Sequence, residues 1–175
     1  METDNPQFIL DNTAVSNFSS AGRMDILRSR YGGRLIVTRE VLMEAENSPY
    51  PEAIQRAVDD GWIKVQPLYA DSWEYGIFTE LRDRGFGMGE AASIAVCSTG
   101  GMWIFISDDL DARREALRRR FGVVGTYGIL AREVVEGKMG LREGNELLRR
   151  MVENGFRSHS HDLREEVERL SYSSE

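Results

Sequence analysis

The chain reads Phe8-Ile9-Leu10-Asp11-Asn12-Thr13 near its beginning, and this stretch decides the predicted fold. An apolar run stops at an aspartate, and a helix-like segment over residues 16–30 follows, as in a strand, a loop and a helix. The same order recurs at Trp103-Ile104-Phe105-Ile106-Ser107-Asp108-Asp109, which passes into helix-like residues 111–117. Carboxylates therefore close two predicted strands.

Alternation of strands and helices predicts the fold class. Further strand-like runs lie at residues 35–37, 62–65 and 123–124, with helical segments between them. This order indicates a three-layer α/β/α fold with a central, mainly parallel sheet flanked by helices on both faces. Right-handed crossovers bring the carboxyl ends of all strands to one edge, where α/β proteins bind their ligands. We expect Asp11 and Asp109 to share that edge.

The composition suits one globular domain. The chain has 175 residues, of which 41% are hydrophobic and 29% are charged. No apolar run approaches the ~20 residues that a membrane-spanning helix needs. The first five residues are polar or acidic apart from Met1, so we expect a cytoplasmic protein with no membrane partner. The lone cysteine, Cys97, lies in an apolar helix-like run and is predicted to be a core residue.

The charge balance argues against general attraction of nucleic acid. The chain has 29 acidic and 22 basic residues, a net charge of -7 and a pI near 5.0. All basic residues except Lys64 and Lys138 are arginines, whose planar fork suits phosphate. The arginines at 113–114 and 118–120 could follow a nucleic-acid backbone. They also fit a solvated helix face whose cations complement the helix dipole, and both interpretations stay open.

Two further acids lie at predicted helix starts. Thr38 is placed to cap a short helix, and Glu40 in its first turn complements the dipole. Glu44 lies on the same helix face as Glu40 and is the better candidate for a site. Glu90 follows three closely spaced glycines and opens an alanine-rich helix. Taken alone, Glu90 is explained by helix capping.

Other chemistries match the sequence less well. Thr13 stands where a haloacid-dehalogenase-like phosphatase needs its second aspartate, two residues after Asp11. No glycine-rich phosphate loop ending in Lys and Ser or Thr occurs. His159 and His161 are the only histidines, and they have no cysteine partner nearby. We therefore expect them on the surface rather than in a zinc site.

In combination, the acidic segments resemble the PIN-domain family of metal-dependent nucleases, which includes the VapC-like toxins of toxin-antitoxin modules. The resemblance covers about residues 8–137. It implies a PIN-like domain over residues 1–137 and a helical extension over residues 138–175, packed on the same domain or in a dimer interface. The motifs that carry the resemblance are Leu10-Asp11-Asn12-Thr13-Ala14-Val15, Val41-Leu42-Met43-Glu44, Gly89-Glu90-Ala91-Ala92-Ser93-Ile94-Ala95 and Ile106-Ser107-Asp108-Asp109.

The resemblance also implies the site. The cofactor would be Mg²⁺ or Mn²⁺, since hard cations prefer carboxylate oxygen. Packed together without a metal, such acids would repel one another and some would have raised pKa values. The implied catalytic residues are Asp11, Glu44, Glu90 and Asp109, and the implied metal ligands are Asp11, Glu90, Asp109 and Asp108, with Asp111 as a further candidate.

The implied activity is hydrolysis of RNA phosphodiester bonds by an endoribonuclease. Asn12, Thr13, Arg113 and Arg114 are expected to bind the substrate. The resemblance further suggests an antitoxin-like protein partner. Apolar residues at helical spacing beyond Gly137 need a partner surface, which is the sheet or a second copy in a homodimer. The alternative is a catalytically silent PIN-like module that binds nucleic acid or protein. The presence of all four expected acids favours catalysis.

Overall fold

A computed structural model of the chain describes residues 5–172. Its five strands form one parallel sheet in the order β3-β2-β1-β4-β5. This arrangement confirms the predicted α/β fold, and each predicted strand end lies within one residue of the observed end. The strands are β1 (Gln7–Leu10), β2 (Leu35–Thr38), β3 (Ile63–Gln66), β4 (Trp103–Ile106) and β5 (Gly122–Val124).

Helices connect the strands and cover both faces of the sheet. In the described part of the chain no helix is long and apolar enough to span a bilayer. The sequence predicts a frayed tail over residues 172–175; Tyr172 is the last residue of a helix, and residues 173–175 lie outside the described residues. The helices are α1 (Asn12–Ser20), α2 (Met24–Tyr31), α3 (Arg39–Glu46), α4 (Pro51–Asp59), α5 (Trp73–Asp83), α6 (Met88–Cys97), α7 (Leu110–Arg118), α8 (Thr126–Val135), α9 (Leu141–Glu153) and α10 (Arg164–Tyr172).

The centre of the sheet is where the strand order reverses. β1 pairs with β2 on one side and with β4 on the other, with Leu10 opposite Ile106. The hydrogen bonding continues past the strand, because the Asp11 amide donates to the Ile106 carbonyl at 2.9 Å. The first residues after β1 and β4 are therefore neighbours at the switch point of the sheet, where ligands of open α/β sheets bind.

Two apolar layers sandwich the sheet. Successive residues of a strand point to opposite faces, so Leu10 and Ile106 enter one layer while Ile9 and Phe105 enter the other. All four are fully buried. Cys97 lies in the second layer and is 1% exposed, as expected for a core thiol.

The prediction of one continuous helix over residues 16–30 is wrong. α1 and α2 are separate helices, and Gly22 between them has a left-handed φ of +66°. The Arg23 amide donates back to the Phe18 carbonyl at 2.8 Å and closes the end of α1. Phe18 and Leu27 nevertheless pack into the same layer. The apolar spacing therefore runs through the break and conceals it.

The C-terminal helices pack against the chain's own core. Leu147, Leu163 and Leu170 belong to the layer that contains Leu10. The Tyr127 hydroxyl of α8 donates to the Asp162 carbonyl at 2.7 Å and fixes the loop before α10. Residues 141–172 thus pack beside α8 and α1 of the same chain. The domain boundary at residue 137 and a dimer interface stay predictions.

Candidate active site

Asp11 follows β1 directly and caps α1. Its Oδ1 accepts the Asn12 amide at 2.7 Å, and its Oδ2 accepts the hydroxyls of Thr13 at 2.9 Å and Ser107 at 2.8 Å. The residue is 1% exposed. Burial raises the pKa of Asp11 to about 6 against the opposing effect of these hydrogen bonds, and the charge of Glu44 adds to the rise. Asp11 is thus a fixed, poorly solvated carboxylate.

Glu44 of α3 contacts the start of α6 at Gly89. The Gly89 amide donates to Glu44 Oε1 at 2.8 Å. A Cβ added at residue 89 would lie 2.6 Å from Glu44 Oε2 and 3.0 Å from Val41 Cγ2. Only glycine therefore lets the two helices approach this closely. The last of the three glycines before Glu90 thus makes room for Glu44.

Glu90 faces the other acids. Its Oε2 accepts the Gly87 amide at 3.0 Å, which closes the first turn of α6 as the capping interpretation predicts. Burial is the main cause that raises its pKa to about 7, and the charges of Asp11, Asp109 and Glu44 contribute to this rise against the hydrogen bond from Gly87. Four acids from separate parts of the chain therefore act on one another at the carboxyl edge of the sheet.

The two adjacent aspartates after β4 have different surroundings. Asp109 caps α7, since its Oδ1 accepts the amides of Asp111 at 2.9 Å and Ala112 at 2.8 Å. Its Oδ2 makes no hydrogen bond within residues 5–172. Both oxygens of Asp108 are engaged by α1 and α8, because Oδ1 accepts the Thr126 amide at 2.8 Å and Oδ2 accepts Asn17 Nδ2 at 2.9 Å. The Thr126 hydroxyl also donates to Asp108.

Ser107 is a residue that the sequence analysis missed. Its hydroxyl donates to Asp11 Oδ2 and accepts the Asp109 amide at 3.2 Å, so it joins the two acids. Thr13 makes a parallel link, because its hydroxyl donates to Asp11 and accepts the Asp108 amide at 3.0 Å. Ser107 lies inside the motif that ends in Asp108-Asp109, but an uncharged serine there gave no sign of a role of its own.

The predicted substrate-binding residues lie around this cluster and differ in their hydrogen bonding. Asn12 Oδ1 is buried and has no hydrogen-bond partner among the described residues. The Thr13 hydroxyl is engaged between the acids. Arg113 donates to the Ser107 carbonyl at 3.2 Å, and Arg114 pairs with Asp111 at 3.2 Å on the surface. A Cβ at residue 125 would lie 2.2 Å from Arg113 Nη1, so glycine there leaves room for the guanidinium.

Two members of the second arginine group, Arg118 and Arg119, form ion pairs with Glu115. Glu115 is 4% exposed and accepts Arg118 at 2.6 Å, Arg119 at 2.7 Å and Arg84 of α5 at 2.9 Å. These ion pairs hold the pKa of Glu115 well below its usual range. Arg84 with Glu115 and Arg119 with Glu80 therefore link α5 to α7, while Arg118 pairs within α7. Arg120 lies past the end of α7 with a φ of +66°.

The donor set at the sheet edge fits a hard divalent cation. All candidate ligands are oxygens, and the unpaired Asn12 Oδ1 lies beside Asp11. Glu44, Glu90 and Asp109 each accept a hydrogen bond from a backbone amide with one carboxylate oxygen. Among residues 5–172, no group of three acidic, histidine or cysteine side chains lies close enough together to hold a metal ion in the present side-chain positions. His159 and His161 are exposed, as predicted.

Three grooves meet at Asp109. The first has a volume of about 850 Å³ and lies between α7, α8 and the segment over residues 156–170. The second, of about 340 Å³, lies between the start of α1 and residues 154–157. The third, of about 620 Å³, lies between the start of α6 and α7 and includes Glu90. Asp109 lines all three grooves and is therefore reachable from three directions.

The fold is a parallel sheet between two layers of helices, with four acids at the carboxyl edge of the sheet. Such an arrangement is that of a nuclease-like α/β protein. The sequence model of the PIN-domain family matches residues 7–171, and the chain belongs to this family. PIN domains are generally nucleases and typically use divalent metals. No curated protein matches the chain.

Proposed function

We propose that the protein is a divalent-metal-dependent endoribonuclease that acts through Asp11, Glu44, Glu90 and Asp109. The observation that carries the proposal is the electrostatic environment of Glu90, whose pKa is raised by burial and by the three other acids. Clustered carboxylates repel one another, and a bound cation offsets that repulsion. Perturbed acids in a cleft are typical of functional sites.

Each residue has a proposed role. Asp11, Glu90 and Asp109 would hold Mg²⁺ or Mn²⁺, with Glu44 beside them and Asp108 as a further ligand. A divalent cation bound there would lower the pKa of a water molecule and offset the charge of the phosphate. Ser107 and Thr13 keep the Asp11 carboxylate in one orientation through their hydroxyls. The Gly89 amide does the same for Glu44.

RNA as substrate is supported by the residue next to Asp11. Asn12 Oδ1 is a buried acceptor without a partner in residues 5–172, and a rotation of this side chain would offer it to a ribose 2′-hydroxyl, a donor that DNA lacks. We assign Asn12 to this hydroxyl, Arg113 and Arg114 to phosphates, and Thr13 to the orientation of the acids. Three of the four predicted substrate contacts thus receive a partner on the RNA, while the Thr13 hydroxyl is already engaged by Asp11 and the Asp108 amide.

The biological part of the proposal rests on the likeness to VapC-like proteins. We propose a toxin-like component of a toxin-antitoxin module, with an antitoxin-like protein partner. We further propose a homodimer and a cytoplasmic location. Co-purification of the chain with a protein encoded beside it would support the first point, and sedimentation of the purified chain would test the dimer.

A catalytically silent module is the second candidate. Glu44 and Glu90 use their carboxylates on the amides of Gly89 and Gly87, and within the described residues the acids do not surround a common point. In such a module these hydrogen bonds would be the permanent role of both glutamates. Metal binding would then be weak, and RNA would be bound but not cut.

One experiment separates the two candidates. Labelled single-stranded and hairpin RNA are incubated with the protein in Mg²⁺, in Mn²⁺ and with chelator. Asp11→Asn tests the site, and Asp60→Asn, which removes an exposed carboxylate at the end of α4, is the matched control. We expect metal-dependent cleavage that Asp60→Asn keeps and Asp11→Asn loses. Equal inactivity of wild type and Asp11→Asn, with RNA still bound, would establish the silent module.

A further inference from the structure

The C-terminal segment forms walls next to the acid cluster. Phe156 and Arg157, in the loop after α9, line both the first and the second groove. Asp109 lines the same two grooves. Arg157 therefore stands where these two grooves meet, although it lies 48 residues beyond Asp109 in the sequence. None of the segments that carry the family resemblance includes it.

The first groove of this acidic protein is lined by five arginines beside four acids. Arg114 and Arg169, which line it, are paired with Asp111 and Glu166. Arg132 and Arg157 are exposed and make no hydrogen bond or salt bridge with any residue in the range 5–172. Arg132 acts on Glu166 of the same groove through its charge but without a salt bridge, and Arg157 is likewise outside any salt bridge among residues 5–172. Two such guanidinium groups suit a phosphate backbone, because a planar fork binds phosphate with two hydrogen bonds.

An aromatic contact holds an imidazole on the same groove. The ring of His159 meets the ring of Tyr127 edge to face, with centroids 4.4 Å apart. Tyr127 is itself anchored, because its hydroxyl donates to the Asp162 carbonyl at 2.7 Å. Tyr127 is buried while His159 is exposed, so the histidine ring is supported from the protein side and open toward the groove. Rings placed in this way stack on unpaired bases.

We propose that the first groove binds the single-stranded flank of the RNA that is cut at the acid cluster, with Arg132 and Arg157 on phosphates and His159 under a base. The proposal rests on the proposed function and adds its substrate class. Arginines combined with a stacking ring are the usual means of holding a single strand. A duplex keeps its bases stacked and offers His159 no open face. An acidic protein segment would use the arginines but not the ring.

The test measures RNA binding without cleavage. In an Asp11→Asn background, the Kd for a fluorescein-labelled 12-nucleotide single strand is measured by anisotropy at several salt concentrations. We expect Arg132→Gln with Arg157→Gln to weaken binding about tenfold or more and to reduce the salt slope by about 1.4, or about 0.7 for each phosphate contact. His159→Ala should weaken binding roughly fivefold, as loss of one stacked base predicts.

A matched pair of variants controls for total charge. Arg142→Gln with Arg150→Gln removes two exposed arginines of α9 that line none of the three grooves, and should change the Kd less than twofold. Thermal unfolding of each variant checks the fold. The double variant Arg132→Gln with Arg157→Gln is the groove pair, and the double variant of α9 is the control pair. Equal Kd values for the groove pair and the control pair would overturn the proposal. Cleavage by otherwise wild-type protein is scored separately, so the nuclease function would still stand.

Two further results are informative. If wild type neither cuts nor binds RNA in any metal, both the function and the groove assignment fail. A fluorescein-labelled peptide of twelve glutamates serves as the protein-like probe. If the groove pair loses this peptide but keeps its affinity for RNA, the groove belongs to an acidic protein partner, and the RNA proposal is overturned.

Discussion

Ser107 joins Asp11 across the two central strands of the sheet. Its hydroxyl donates to Asp11 Oδ2 at 2.8 Å while accepting the Asp109 amide at 3.2 Å. The residues that follow β1 and β4 are thus held together by one side chain that is itself fully buried. A neutral hydroxyl therefore links the carboxylate of Asp11 to the backbone of Asp109.

The first prediction concerns this hydroxyl. Ser107→Ala should lower the free energy of unfolding by about 1–3 kcal/mol, because it leaves buried polar groups without a partner. It should also slow RNA cleavage, since Asp11 loses one of its three hydrogen bonds. Urea unfolding followed by circular dichroism measures the first effect. Ser93→Ala is the control, because the Ser93 hydroxyl is equally buried but has no partner within residues 5–172; its removal should be neutral or stabilising. A larger loss for Ser93→Ala would contradict this account.

The second prediction separates the adjacent aspartates. Asp109→Asn should abolish cleavage with little loss of stability, because asparagine caps a helix about as well as aspartate. Asp108→Asn should reduce cleavage only partly and cost about 1–3 kcal/mol, because its amide would face the donors of Thr126 and Asn17. Initial cleavage rates and urea midpoints of both variants test this. The reverse order of activities would assign the metal to Asp108.

The third prediction concerns the close approach of α3 and α6. Gly89→Ala should destabilise the protein by roughly 1–3 kcal/mol and disturb the site, because the new methyl group overlaps Glu44 Oε2. Gly76→Ala is the control, since a Cβ at this helical position meets nothing within 4 Å. That control should raise stability by about 0.5–1 kcal/mol. Equal effects of the two substitutions on urea unfolding would argue against the steric explanation.

The fourth prediction concerns repulsion within the acid cluster. Glu90→Gln removes one of four mutually repelling charges and can keep the bond from the Gly87 amide. Without metal at pH 8 its Tm should therefore rise by about 2–4 °C, the shift produced by ~1 kcal/mol in a chain of this size. Added Mn²⁺ should stabilise wild type but not the variant. The proposal for this site fails if Mn²⁺ raises the Tm of both proteins equally.

The fifth prediction is a pH dependence far from the site. Hydrogen bonds from Arg30, helped by Lys138, lower the pKa of Glu136 from its usual 4.5 to about 2. A lowered acid pKa stabilises the fold above about pH 4.5, and this contribution fades as the pH falls toward 2. The stability difference between wild type and Glu136→Gln should therefore shrink between pH 6 and pH 3. Half-exposed pairs are screened, so the difference should also shrink in 1 M salt.

A matched variant isolates that ion pair. Glu168→Gln removes an exposed glutamate of α10 that has no hydrogen bond or salt bridge in the described chain. Its stability relative to wild type should vary little over the same pH range. A pH profile for Glu136→Gln that parallels the one for Glu168→Gln would show that Arg30 contributes no net stabilisation through Glu136.

The fold and the identity of the acids were open to prediction because both depend on local sequence. Strand ends such as Leu10-Asp11 and Ile106-Ser107 show where apolar runs stop. The parallel order then follows from the handedness of crossovers. The break between α1 and α2 was missed because Phe18 and Leu27 contact the same layer, so their spacing continues through Gly22.

The sequence by itself determined the layered sheet, the edge on which Asp11 and Asp109 lie, and the four acids of the PIN-domain pattern. Only the tertiary structure decided which way each carboxylate faces. Asp108 is drawn to Thr126 and Asp109 to α7, although the two are chemically identical neighbours. Their difference comes from hydrogen-bond donors up to 91 residues away in the chain. Such partners meet only when the helices pack, so the local spacing of residues cannot predict them.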